Sequence, residues 1–202
     1  MITDTLASIP GWQVYVWILA ICLPAAIHLR LIGHRDRAHR SEAVLMYVLG
    51  VSGAIGMFNL VMHTLFASDL AVSIGWAVGS PFQTEVGFAD FAIGILGFAC
   101  FWRYDFWLPA LIAKCVFAWG AGMTHGLDIV GTGNQAANNA GPILAWDFLL
   151  PVVAITLYVL ARPARDHVVI TPTLYWSTRW RLDNSDLVSQ RRRGRDPRMT
   201  DA

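Results

Sequence analysis

The chain has 202 residues, of which 55% are hydrophobic and only 14% are charged, and nine are tryptophan. Soluble domains carry a charged fraction of about 25%, so this composition excludes an ordinary soluble protein and predicts a multi-pass membrane protein. The formal net charge of +1 carries little information, because the positive charge is concentrated in two places. No nucleic-acid partner is expected, since a membrane-tethered tail would offer so few charges. Cys22, Cys100 and Cys115 fall inside apolar runs without CxxC spacing, which predicts small core residues rather than a disulfide or zinc framework.

Five apolar runs have roughly the length that a helix needs to cross a hydrocarbon layer about 30 Å thick. They cover residues 11–29, 43–66, 86–102, 108–130 and 142–161. Residues 67–79 are too short to span, and we predict an interfacial or re-entrant segment there. The composition becomes polar after residue 161. We therefore predict an all-α integral membrane bundle of five transmembrane helices in residues 1–161, followed by a basic and aromatic tail domain in residues 162–202.

The arginines predict how the bundle is oriented. Residues 30–40 and the tail are rich in Arg, and Arg103 falls in the turn between the third and fourth runs, whereas residues 67–87 and 131–141 contain no Lys or Arg. Because basic loops remain in the cytoplasm, the N-terminus is predicted to lie outside and the C-terminus in the cytoplasm. We expect the plasma (inner) membrane of a bacterium.

Ionisable residues lie a few positions inside the predicted outer end of four runs: His63, Asp90, His125 and Asp147. At 1.5 Å per residue they would share one layer, roughly 5 to 8 Å below the outer boundary. Further polar residues are expected to ring this layer from above: Glu85, Asp128, Asn134, Asn138 and Asn139. An ionisable side chain inside a membrane costs about 2.5 to 3.5 kcal/mol on insertion scales, so the layer is a candidate functional site.

Four interpretations of this layer remain open. In the first, the residues form an interhelical hydrogen-bond network that only specifies packing. In the second, they form a path for protons or small solutes. A divalent metal site would use His63 and His125 as imidazole ligands and Asp90 or Asp147 as carboxylate ligands. Haem between the two histidines is disfavoured, because a second histidine pair is missing at the inner side. No phosphate-binding loop or nucleophile elbow is present, so phosphoryl and acyl transfer are not indicated. A non-catalytic protein is favoured, and the cofactor stays unidentified.

Small and polar residues share helical faces in the second and third runs. They are Ser52, Gly56, Asn59 and His63 on one, and Gly87, Asp90, Gly94 and Gly97 on the other. Faces of this kind pack against other helices, because small residues let backbones approach closely. Lys114, near the start of the fourth run, is predicted to snorkel toward water.

Three elements of the sequence resemble a known family. They are FQTEVGFA at residues 82–89, NAGP at residues 139–142, and Asp147 followed by Pro151. Together they are similar to DUF6790, a family of small bacterial and fungal membrane proteins of unknown function. The resemblance covers residues 45–160 and implies a four-helix core with a shared polar layer, but no activity. Family members commonly have little beyond that core, so the tail looks like an addition that serves an added partner.

The tail combines a basic run, RRRGRDPR at residues 191–198, with interleaved aromatic and basic residues, Tyr175, Trp176, Arg179, Trp180 and Arg181. The basic run would attract anionic lipid at about 1 kcal/mol per residue, and the aromatic residues are typical of those that fill protein pockets. We therefore expect a non-catalytic subunit or assembly factor of a larger membrane complex, docked through its glycine-rich helix faces and its tail. The alternative is a metal-binding, or a proton- or small-solute-handling, membrane protein.

Overall fold

The computed structural model describes residues 11–33 and 37–161. That part of the chain is all-helical, as the sequence predicts. The helices are α1 Trp12–Ile32, α2 Arg37–Thr64, α3 Ala67–Ile74, α4 Phe82–Ala99, α5 Trp107–Thr132 and α6 Pro142–Ala161. A 3₁₀ turn, Tyr104–Phe106, joins α4 to α5. The predicted tail domain lies outside the described residues.

Four helical stretches are long and apolar enough to cross a membrane, which indicates a membrane protein. They are Trp12–Leu31, Arg37–Thr64, Tyr104–Thr132 and Pro142–Ala161. The remaining long helix, α4, has 18 residues, among them Glu85 and Asp90. These two acids reduce its apolar character, and α4 is not one of the four.

Several helix boundaries differ from the predicted ones. α2 begins at Arg37 rather than at residue 43, because a polar first turn extends the helix into the basic stretch that the sequence suggested was a loop. α4 begins at Phe82, four residues earlier than predicted. Within residues 67–79 the chain forms α3, which ends at Gly75 with a left-handed φ of 82°. At eight residues, this helix is only about 12 Å long and cannot span.

The most extensive contact between helices joins α2 to α4, which run antiparallel along facing glycines. A Cβ added to Gly56 would lie 2.4 Å from the backbone oxygen of Asp90, and one added to Gly97 would lie 2.5 Å from that of Leu49. Only glycine permits such close approach of two helix backbones. The glycine-rich faces predicted for these two helices therefore pack against each other within the chain.

The two ends of the bundle differ in composition. One end, which we call the arginine end, carries Arg30 in the last turn of α1, Arg37 at the start of α2, and Arg103 between α4 and α5. The opposite end, the asparagine end, carries α3 and the loop of residues 133–141 with Asn134, Asn138 and Asn139. The sequence places basic residues in some loops and not in others. In the structure, the basic loops thus lie at one end of the bundle and the other loops at the opposite end.

Many large apolar side chains on α1, α5 and α6 are exposed, among them Leu19, Val116 and Leu149. An outward-facing apolar surface is what contact with lipid requires. Of the three cysteines, Cys100 and Cys115 are buried, as predicted, but Cys22 is exposed. The prediction that Cys22 is a core residue was wrong, because it lies on the outward face of α1.

The close approach of α2 and α4 makes a testable prediction for glycine substitutions. Gly97→Ala should lower the free energy of unfolding by about 1 to 3 kcal/mol through overpacking, because its Cβ would meet backbone atoms that cannot move aside. Gly126→Ala on α5 is the matched control, since a Cβ there meets nothing within 4 Å. The control should be neutral or slightly stabilising. Denaturant titration in detergent measures both, and equal stability of the two variants would contradict the packing described.

Candidate functional site

A polar cluster lies in the interior of the bundle, where four different helices meet. We call it the core cluster, and its members are Asn59 on α2, Asp90 on α4, Lys114 on α5 and Asp147 on α6. The amide nitrogen of Asn59 donates a hydrogen bond to Oδ2 of Asp90. Nζ of Lys114 lies 3.4 Å from Oδ1 of Asp90. Both oxygens of Asp90 therefore have a donor, which is the arrangement that an ionised carboxylate favours.

Lys114 corrects a prediction from the sequence. It does not snorkel toward water, because its side chain is 11% exposed and pairs with Asp90, whose side chain is 2% exposed. Its ammonium group also lies 5.7 Å from the ring centre of Phe117, a weak cation–π contact. A buried charge is tolerated only when a partner compensates its lost hydration, and Asp90 is that partner.

Asp147 is the second carboxyl group of the core cluster. It is buried, and its Cβ is 3.2 Å from the position that a Cβ on Gly122 would occupy, so α5 and α6 pack tightly there. Asp147 is near enough to Lys114 and Asp90 for their charges to act on it, but within the described residues it forms no ion pair and accepts no hydrogen bond. The cluster thus contains two carboxyl groups and one ammonium group, and its charge would be −1 if all three were ionised.

A second polar cluster closes the asparagine end, and we call it the cap cluster. Its members are Trp76, His125, Asp128, Asn134 and Asn139. Nδ1 of His125 donates to Oδ1 of Asn139 over 2.7 Å, and the indole ring of Trp76 stacks on the imidazole at 5.3 Å between ring centres. Nε1 of Trp76 donates to Asp128 over 2.9 Å. His125 is therefore covered by an indole ring and held by an asparagine.

The loop of residues 133–141 is tied down by its asparagines. The amide nitrogen of Asn134 donates to Asp128 over 2.7 Å and to the backbone oxygen of Ile74 at the end of α3 over 2.8 Å. Asn138 receives a bond from Gln13 on α1 and donates to Ser73 on α3. These bonds connect α1, α3 and α5 through one loop. The asparagines predicted to surround the polar layer thus hold this loop to the neighbouring helices through hydrogen bonds.

His63 lies at the contact surface between α2 and α4, which we call the seam. It is closer to the asparagine end than the core cluster is. Its Nδ1 is 2.6 Å from Oε1 of Gln83, so the ring donates from Nδ1 to an amide oxygen. It also interacts electrostatically with Asp90. The side chain is half-buried, whereas Asp90 is fully buried. His63 therefore stands between the core cluster and the end of the helix pair.

The hydrogen bonds and ion pairs divide between different networks the residues that the sequence placed in one layer. His125 and Asp128 belong to the cap cluster, Asp90 and Asp147 to the core cluster, and Glu85 is exposed in the first turn of α4. The described ranges contain no group of three or more His, Cys, Asp or Glu side chains that could hold a metal ion. The four residues predicted as a metal set are divided between separate networks. The predicted partner-binding residues Tyr175, Trp176, Arg179, Trp180 and Arg181 lie outside the described residues.

Sequence reasoning missed the roles of Lys114, Trp76 and Gln83. For Lys114 a signal was present, because it shares one helical face of α5 with His125, and a face that carries a buried histidine should point inward. For Trp76 the sequence pattern gave no sign of its partner, because Asp128 is 52 positions away in the chain.

Comparison with known proteins identifies the family but no activity. A family model described as a family of unknown function (DUF6790) matches residues 11–167. The chain belongs to the DUF6790 family. The resemblance inferred from the FQTEVGFA and NAGP elements is thus confirmed, and the match extends further than predicted, because it includes α1. No curated protein and no solved structure matches the chain. In this family member, the NAGP element begins with Asn139 of the cap cluster.

The buried ion pair makes a prediction about stability. Lys114→Met should lower the free energy of unfolding by about 3 to 5 kcal/mol, because it leaves the charge of Asp90 buried without its partner. Adding Asp90→Asn should recover most of this loss. Arg103→Met is the control, since the pair of Arg103 with Asp105 is exposed and such pairs contribute at most about 1 kcal/mol. If Lys114→Met is as stable as Arg103→Met in denaturant titration, the pair does not stabilise the fold as described.

Proposed function

We propose that this DUF6790 protein binds and releases a proton inside the membrane, at the core cluster. The observation that carries the proposal is the unequal number of acids and bases there: Asp90 and Asp147 are both buried carboxyl groups, and the one ammonium group of the cluster, that of Lys114, pairs with Asp90. A net charge in a medium of low dielectric constant is strongly unfavourable. One additional proton makes the cluster neutral, and its release restores the charge.

Each residue of the core cluster has a distinct role in this proposal. Asp90 is the ion-pair partner of Lys114, and Asn59 and Lys114 occupy both of its oxygens. Lys114 supplies the permanent counter-charge. Asp147 is the carboxyl group that gains and loses the proton, because no donor in the described residues competes for its oxygens. The charged groups that face Asp147 are Lys114 from α5 and Asp90 from α4, while α2 contributes the neutral Asn59 and, nearer the helix end, His63.

The proposal includes a membrane topology. We propose that α4 crosses the membrane beside α2, to which it is packed through glycine along most of its length, so that five helices span in total. The arginine end would then face the cytoplasm of a bacterium and the asparagine end the outside, because basic loops are retained inside.

A role as a non-catalytic subunit of a larger complex remains a prediction from the sequence. It depended on the tail, which lies outside the described residues, and on the glycine-rich helix faces. The faces of α2 and α4 are occupied by each other, so a partner would have to dock elsewhere. Co-purification in mild detergent tests this role, with the full chain compared against a chain that ends at Arg162. Loss of a stoichiometric partner on truncation would support it.

Infrared spectroscopy in phosphatidylcholine vesicles tests the proton site. The wild type should show a protonated carboxyl band near neutral pH that disappears as the pH is raised, because the neutral cluster then loses its proton. Asp147→Asn should abolish this band. Asp128→Asn, which changes the acid of the cap cluster, is the matched control and should retain it. Absence of a titrating band in the wild type, or its persistence in Asp147→Asn, would contradict the proposal.

A further inference from the structure

The seam between α2 and α4 changes character along its length. From the core cluster toward the arginine end, it is filled by backbone and aromatic contacts. A Cβ on Gly94 would lie 3.1 Å from the Cα of Gly56, and one on Gly53 would lie 2.4 Å from the ring of Phe98. Helices in such close contact leave no space for water between them, so this half of the seam is closed.

Toward the asparagine end, the same seam is lined by polar side chains. Asn59 and His63 are one turn apart on α2, and they face Asp90 and Gln83 on α4. Gly87 lies between them, and its missing side chain makes room for His63, whose Cβ would be 3.0 Å from an added Cβ. His63, Asn59 and Gln83 are all half-buried. A polar and partly exposed lining of this kind connects the surface to Asp90.

His63 has the chemistry that a proton relay needs. Its unperturbed pKa of about 6.5 is the closest of any side chain to neutral pH. Because Nδ1 donates to the amide oxygen of Gln83, the neutral ring presents the lone pair of Nε2. A hydronium ion can transfer a proton to Nε2, which breaks one of its O–H bonds, forms an N–H bond and leaves water. That N–H bond breaks when the proton passes, by way of Asp90, to Asp147, the carboxyl group that holds it. The ring is then neutral again and needs no rearrangement.

Resting on the proposed function, we infer that the core cluster exchanges its proton with one side of the membrane only, the side of the asparagine end, and that His63 is the relay. Among the acids near His63, Asp90 interacts with it electrostatically, whereas Asp69 on α3 and Glu85 on α4 are exposed. The closed half of the seam between α2 and α4 offers no such polar lining toward the arginine end.

Side-selective pH jumps test this inference. The full chain is reconstituted in phosphatidylcholine vesicles, and one orientation is selected through a tag at the C-terminus. The pH is then changed on one side while the carboxyl band is followed. The band should respond to the pH at the asparagine end and remain unchanged, over the same period, when only the other side is changed. This part of the test needs no substitution.

Variants of two histidines test the relay. His63→Gln should slow the response by at least about tenfold, since a positioned acid–base group contributes at least this much to proton transfer. Imidazole added to the buffer should restore the rate, which a purely structural role would not allow. His125→Gln is the matched control, because His125 makes the same kind of bond from Nδ1 to an amide oxygen but belongs to the cap cluster. It should respond at the wild-type rate.

The outcomes separate the two proposals. A band that follows the pH at the arginine end, or an unchanged rate in His63→Gln, overturns the inference while the proton site stands. The role of His63 is also overturned if imidazole does not restore the response rate of His63→Gln, or if His125→Gln responds just as slowly. Absence of any titrating carboxyl band in the wild type overturns the proton site itself, and the relay with it.

Discussion

The contact between Lys114 and Asp90 is the interaction on which the interior of this bundle depends. An ammonium group and a carboxylate buried among apolar helices are each unfavourable alone, and they become tolerable only in contact. The contact joins α4 to α5, while Asn59 adds α2 to the same carboxylate and Asp147 brings a second buried carboxyl group from α6. Four helices are thereby brought together around one electrostatic arrangement, which cannot be altered at one member without affecting the others.

Close packing places this arrangement in the interior of the bundle. The glycines of α2 and α4 bring the two backbones into contact, so that Asp90 lies against Gly56 with no intervening side chain. At the asparagine end, the cap cluster fastens the loop of residues 133–141 over α5 and α3 through side-chain hydrogen bonds. These hydrogen bonds are part-buried, and together they hold the loop to α3 and α5. The seam beside His63 is polar and partly exposed, unlike the half of the same seam that glycines fill.

The sequence predicted the all-helical fold, the apolar runs and the family, because hydropathy and local motifs record them directly. α6 was predicted with both boundaries correct, since Pro142 begins it and the polar composition after Ala161 ends it. The site was predicted only in part. Helical periodicity placed Asp90 on an inward face, but it does not say how far a flexible side chain reaches, so Lys114 was assigned to water. The separation into core and cap clusters depends on contacts between distant positions, which no local pattern contains.

The charge of the core cluster is the most direct test of this account. Solid-state NMR of the protein in bilayers at neutral pH reports the protonation of the Asp90 and Asp147 carboxyl carbons and of the Lys114 side-chain nitrogen. The account predicts a charged ammonium group, one ionised carboxylate and one protonated carboxyl group, which together are neutral. Two ionised carboxylates beside the ammonium group, or an uncharged amine at Lys114, would contradict it.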